Sequence, residues 1–262
     1  MYNLTIQSAY NEHDPNVYYW TDGRSVFFKF NEIAGADLET FQFYTGPFAK
    51  DKNYCYLGNE VLEEAENDTF EGINLSFAAD INIIWCASGK VDQADRKTFE
   101  VCDSGKFILS NSTEIPVRLP LQEIKLACGY AKDKDRIYYF NFRNGLSINE
   151  TAVSSSFVSL NDGYFGYDAY HIFCQAREIE GVDRKSWQRY GAGIFYSRDL
   201  EKVYYLHRLI PHADVETFKI VYPENNAKRT LRLASDKYRC YWNGMEITVK
   251  EFEVLKHSQQ LG

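Results

Sequence analysis

One short unit recurs along this chain. It consists of an Asp-centred turn, an aromatic strand, and a second acidic turn closed by an aromatic. The turn aspartates Asp22, Asp51 and Asp80 stand 29 residues apart, and the closing rings Phe41, Phe70 and Phe99 keep the same step. A fixed period of this length decides architecture before any local propensity does, because each unit is one supersecondary element that buries its apolar face only against its neighbours.

The series continues with Asp133, Asp168, Asp199 and Asp236, and with the closing aromatics Phe157, Trp187 and Phe218. Phe99 and Phe157 are 58 residues apart, two periods, which reads as one unit that has lost its closing turn. Its expected remnant is Leu109–Val117, with Asn111 in place of Asp. The last unit keeps Asp236 and Tyr241 but replaces the closing turn with Thr248-Val249-Lys250-Glu251-Phe252. The reading is therefore an all-β array of about eight hairpin repeats of about 29 residues with short helical turns, the sheets arranged as a solenoid or a propeller. It forms one domain over 1–262, or two halves, 1–103 and 130–262, joined by the degenerate unit.

The chemistry of the unit supports this. Asp in Asp51-Lys52-Asn53 or Asp133-Lys134-Asp135 can accept from backbone N–H groups two residues on, which suits a tight reversal. The flanking runs Val26-Phe27-Phe28, Ile83-Ile84-Trp85, Ile137-Tyr138-Tyr139, Val203-Tyr204-Tyr205 and Cys240-Tyr241-Trp242 are short and rich in β-branched and aromatic residues, as strands are. In Ala36-Asp37-Leu38-Glu39-Thr40-Phe41 and its copies, Asp caps a single helical turn and the aromatic four residues on lies on its inner face. Phe41, Phe70, Phe99, Phe157, Trp187 and Phe218 are the expected core anchors. Adjacent rings such as Phe27-Phe28, Tyr138-Tyr139 and Tyr204-Tyr205 point to opposite faces of a strand. One ring of each pair is core, and its neighbour faces outward or packs on a second layer.

Charge is unevenly placed within the net of −8: residues 1–100 hold 17 acidic against 7 basic residues, and the remainder 20 against 22. Glu60, Glu63, Glu64, Glu66 and Asp68 form the densest acidic stretch and the candidate partner-binding patch, suited to steering a basic protein. Nucleic acid is excluded as a partner, since phosphate wants a basic stripe. No run reaches the roughly 18–20 apolar residues of a membrane helix. The opening Met1-Tyr2-Asn3-Leu4-Thr5-Ile6 has neither a basic nor an apolar leader region, so a cytoplasmic location is expected. The six cysteines show no metal-type pairing and read as free thiols in a reducing compartment.

No catalytic constellation stands out. Asp51-Lys52-Asn53 lacks the glycine and the distant Glu of a calcium loop, and the five histidines have no metal-ligand spacing. Gly191-Ala192-Gly193 opens a strand rather than a helix, so it is no phosphate cradle. The expectation is a protein that is not an enzyme and carries no metal or cofactor. Outward strand aromatics leave a carbohydrate- or wall-binding module as the alternative to protein binding.

Asp51-Lys52-Asn53-Tyr54-Cys55-Tyr56, with Thr69-Phe70 and with Asp133-Lys134-Asp135-Arg136-Ile137-Tyr138-Tyr139, resembles the bacterial DKNYY repeat family, over about Asp22 to Tyr241. The resemblance carries no catalytic residues. It implies a bacterial repeat protein with an interaction role, and the expected form of that role is an immunity protein that binds and neutralises a cognate basic toxin.

Overall fold

A computed structural model describes residues 1–11, 18–103, 106–108, 123–125, 128–191, 194–221 and 232–257, without the side chains of 106–108 and 123–125. The chain is all-β, as its pattern predicts. Seven small antiparallel sheets of three to five strands follow one another among the described residues, and none closes into a barrel. The third sheet shows the plan: strand a (Glu71–Gly72), b (Phe77–Ala79), c (Ile84–Cys86) and d (Gly89–Lys90) pair in a meander. The turn aspartate joins b to c, and the closing turn follows d.

In five of the sheets the c-to-d connection is a two-residue turn whose first residue is left-handed: Lys29 (φ 53), Gly58 (φ 64), Gln175 (φ 58), Leu206 (φ 55) and Asn243 (φ 52). Such primed turns match the twist of the flanking strands.

The 58-residue step between Phe99 and Phe157 is not two units. Strand a of the fourth sheet (Glu100–Val101) pairs directly with strand b (Cys128–Lys132), so one enlarged unit fills the interval. Between them a further two-stranded hairpin is inserted, Lys106–Ile108 against Glu123–Lys125. The expected remnant Leu109–Val117 lies outside the described residues. By their contacts the residues form two compact units, 1–105 with 126–155, and 106–125 with 156–262. The first holds sheets one to four and the second holds sheets five to seven.

Within each unit the cores lie between successive sheets. Phe41 packs with Tyr19 and Val26 of the first sheet and with Ala49 and Tyr56 of the second. Phe70 packs with Phe48 and Cys55 of the second and with Ala78 and Trp85 of the third. In the second unit Phe218 lies among Tyr196, Val203, Ala234 and Tyr241. Phe41, Phe70, Phe157 and Phe218 are buried, whereas Phe99 and Trp187 are half-buried at the margins of their clusters. Burying each ring contributes roughly 1.5–3 kcal/mol.

The ring needs room, and the penultimate residue of strand b supplies it. That position holds Ala49, Ala78, Ala131, Gly166, Ser197 and Ala234. A Cβ on Gly166 would come within 2.5 Å of the Phe157 ring. Only the first sheet departs: Trp20 stands there, stacked on Phe27 at 4.4 Å and 14° and donating its indole N–H to the Lys29 carbonyl. Trp20 fills the space that a preceding closing ring takes elsewhere.

At the other end the closing turn becomes helix α1 (Val249–His257), with Phe252 buried against the seventh sheet. Thr248 and Glu251 cap its start reciprocally, Glu251 N–H to Thr248 Oγ1 at 3.2 Å and Thr248 N–H to Glu251 Oε2 at 2.9 Å.

Both rings of the pairs Tyr138-Tyr139 and Tyr204-Tyr205 are buried, at most 5 % exposed. Tyr204 packs toward the fifth sheet and Tyr205 toward the seventh. Second-layer packing accounts for the Tyr204 and Tyr205 rings, and none of the four offers an outward platform.

Candidate functional site

The residues with the most concentrated chemistry are the turn aspartates. A short carboxylate at the start of a reversal reaches the N–H groups two and three residues on. Asp133 Oδ1 accepts from Asp135 N–H at 2.8 Å and Arg136 N–H at 2.7 Å. Asp51, Asp80, Asp168, Asp199 and Asp236 repeat the arrangement.

The second oxygen reaches the repeat before. Asp51 Oδ2 accepts from Asp37 N–H (2.7 Å), Asp80 Oδ2 from Glu66 N–H (2.7 Å) and Asp133 Oδ2 from Asp95 N–H (2.9 Å). Asp199 does the same for Asp183 and Asp236 for Asp214. Each acceptor caps the first turn of its neighbour's closing element, whose N–H groups have no partner of their own. Four of these oxygens also accept a tyrosine hydroxyl five residues on: Tyr56, Tyr138, Tyr204 and Tyr241, at 2.6 to 3.0 Å.

The closing turn answers. Thr40, Thr69, Thr98 and Thr217 accept through Oγ1 from Lys52, Ile81, Lys134 and Lys237 N–H of the following repeat. Lys52, Lys134 and Lys237 also pair with Asp37, Asp95 and Asp214, exposed contacts that contribute little. Within a repeat, Asn67 and Arg96 donate to the carbonyls of Asp51 and Asp80. The aspartate turn is thus held by its own repeat and by the preceding one.

Burial raises the carboxyl of Asp133, but the Tyr138 hydroxyl and the N–H groups of Asp95, Asp135 and Arg136 outweigh it and hold the group below the usual carboxylate range. Asp199 and Asp236 are lowered by the same balance. Burial first, and then the bond to Asp133, pushes the Tyr138 hydroxyl well up. The three aspartates therefore stabilise the fold while ionised. Their contribution is complete above the unfolded value of about 4 and is lost as pH falls through their lower folded values. The melting midpoint by circular dichroism is expected to hold from about pH 7 to 5 and to fall steeply below about pH 4. A midpoint unchanged down to about pH 3 would overturn this role.

The acidic stretch lies on one edge of the second sheet. Glu60 is in the edge strand Glu60–Val61, and Glu63, Glu64, Glu66 and Asp68 follow in the closing turn, all exposed, while Leu62 and Ala65 pack inward. Glu64 pairs with Lys90 at 2.5 Å. Glu66 gives its N–H to Asp80, leaving its side chain outward.

Sequence reasoning missed the hairpin tips. Ile81, Tyr170, Leu200 and Tyr238 are 64 to 78 % exposed, and Tyr54 is 49 % exposed. Their signal was in the motif itself, since the residues after a buried turn aspartate have no core to enter.

The six cysteines are free thiols, with Cys55, Cys86 and Cys174 buried and the others half-buried. No group of three or more His, Cys, Asp or Glu among the described residues is placed to hold a metal ion. Nor is any helix among them long and apolar enough to cross a membrane. Residues 48–208 and 121–245 match the DKNYY family. No curated protein and no solved structure matches the chain.

Proposed function

The chain belongs to the DKNYY family, and from that premise we propose that it is a protein-binding repeat module rather than an enzyme. In its specific form it is a bacterial, cytoplasmic immunity protein that neutralises a cognate basic toxin. The observation that carries this reading is the placement of charge. The first compact unit holds 21 acidic against 11 basic residues, and the second 16 against 18. Glu60, Glu63, Glu66 and Asp68 project from one edge of that acidic unit, on a turn fixed by Asp80. The motif carboxylates, by contrast, are occupied in holding repeats together. The free thiols fit a reducing compartment.

A field of this kind accelerates encounter with a basic partner by 10- to 1,000-fold at low salt. Affinity capture from the source cell with mass spectrometry identifies the partner, and stopped-flow mixing then measures association. Glu60→Lys, Glu63→Lys and Glu66→Lys together are expected to slow association about tenfold or more while the melting midpoint stays put. An unchanged on-rate, or a partner without basic character, would refute the patch.

The exposed Tyr54, Tyr170 and Tyr238 support a second reading, glycan binding at the hairpin tips. Selective retention on a glycan array, lost in Tyr170→Ala and Tyr238→Ala, would favour it over the first.

A further inference from the structure

The second sheet has five strands because Tyr2–Asn3 pairs antiparallel with its strand a, Gln42–Phe43, setting Tyr2 opposite Phe43. The same N-terminal segment then crosses to the first sheet, where Gln7 N–H bonds Thr21 O at 2.8 Å and Thr21 N–H bonds Thr5 O at 3.2 Å. Seven residues of extended chain thus serve two sheet edges, with two or three residues on each. An edge of this kind offers unpaired backbone groups to any extended segment of suitable chemistry.

The third sheet presents the corresponding edge without a partner strand among the described residues. Ile73 N–H bonds inward to Phe77 O at 2.9 Å, as Tyr44 N–H does to Phe48 O in the second sheet. Alternation along an antiparallel strand then turns the N–H and C=O of Gly72 outward, as those of Phe43 are. Glu71 is exposed and forms no ion pair among the described residues, and Ile73 is 41 % exposed. Two of the other edges differ in this respect: Glu100 on the fourth sheet is paired with Lys132, and Arg189 on the sixth with Asp162.

We propose that the edge Glu71–Gly72, with Ile73 beyond it, accepts an extended basic segment of a partner protein by backbone pairing. The proposal rests on the protein-binding reading above and names how the partner is held. Glu71 and the net negative charge of the first unit select a basic segment. Ile73, on the same face as Glu71 by strand alternation, selects an apolar residue two positions from the basic one.

The probe is a blocked peptide of seven residues, Lys-Thr-Val-Thr-Lys-Thr-Val, which sets Val two positions from Lys on one strand face, titrated into the ¹⁵N-labelled full chain. Its controls are the same peptide with alternate amides N-methylated and the same peptide with Glu in place of Lys. Shifts centred on Gly72 and Ile73 are expected, with binding at least tenfold weaker for both control peptides and for Glu71→Lys/Ile73→Lys. Equal binding of the N-methylated peptide, which needs no variant to fold, would overturn the proposal, as would shifts centred elsewhere. A captured native partner that binds Glu71→Lys/Ile73→Lys as tightly as the wild type overturns this edge and leaves the protein-binding reading standing. Peptide pairing at Gly72 in a protein that captures no partner supports the edge and removes that reading.

Discussion

Replacing Asp133 by Ala is expected to destabilise the protein by about 4 kcal/mol, because four donors converge on one carboxylate and each bond to a charged acceptor is worth about 1.5–3 kcal/mol before the losses overlap. The N–H groups of Asp95, Asp135 and Arg136 and the hydroxyl of Tyr138 all lose their acceptor. Asp133 is only 2 % exposed, so water reaches the vacated donors poorly. Asp133→Asn keeps one acceptor oxygen but turns an amide against N–H and O–H donors, and most of the loss should remain. Asp135→Ala, at the exposed neighbouring position, should change stability by less than about 0.5 kcal/mol. Urea unfolding of the three variants makes the comparison. Similar midpoints for Asp133→Ala and Asp135→Ala would show that the Asp133 carboxylate contributes little to holding the turn or the neighbouring repeats.

Phe70→Ala should cost about 3–5 kcal/mol. Its ring is 2 % exposed and meets Tyr44 at 5.9 Å, Phe48 at 6.5 Å and Trp85 at 5.5 Å, edge to face. The sheets on either side are fixed by their own ladders and cannot close fully over the space, so the cavity term adds to the transfer term. Phe99 occupies the same repeat position but is half-buried, so Phe99→Ala should cost distinctly less. Equal losses would mean that repeat position, and not burial, sets the energetics. Against a typical domain stability of about 5–15 kcal/mol, either Phe70→Ala or Asp133→Ala removes a large share.

Much of the fold was legible because period and turn chemistry are local. The spacing of Asp22, Asp51 and Asp80 marked the hairpins, and Phe41, Phe70 and Phe99 marked the closing turns. What escaped depends on neighbours. The offset from the closing-turn residue to the aspartate that caps it is 14 residues for Asp37 and Asp51, 38 for Asp95 and Asp133, and 22 for Asp214 and Asp236. No constant spacing advertises the bond. The interval from Phe99 to Phe157 misled for a related reason. Asp133 lies 34 residues after Phe99, where Asp80 lies 10 after Phe70, and Phe157 lies 24 after Asp133, where Phe99 lies 19 after Asp80. An insertion and longer strands together happen to equal one period.

The aromatic pairs were read from a single strand, which shows that two faces exist but not that both are covered. For the candidate patch, sequence placed Glu60 to Asp68 in one exposed run, and the fold keeps them on one edge. It could not foresee that Glu64 would be engaged by Lys90, whose position in the next repeat follows from sheet stacking alone. The N-terminal strand on the second sheet was equally invisible. Tyr2-Asn3 carries no strand signal of its own, and only an available edge makes it one.

Trp20 has a bearing on how such a chain can change length. A block running from one closing ring to the next carries one capping aspartate and one turn to be capped. Copied in place beside itself, it finds alanine-sized space for its ring and a carboxylate for its turn at both new junctions. Set ahead of Tyr19, the same block would bring its closing ring against an indole already seated there. Growth by duplication is therefore open from within and closed at that face.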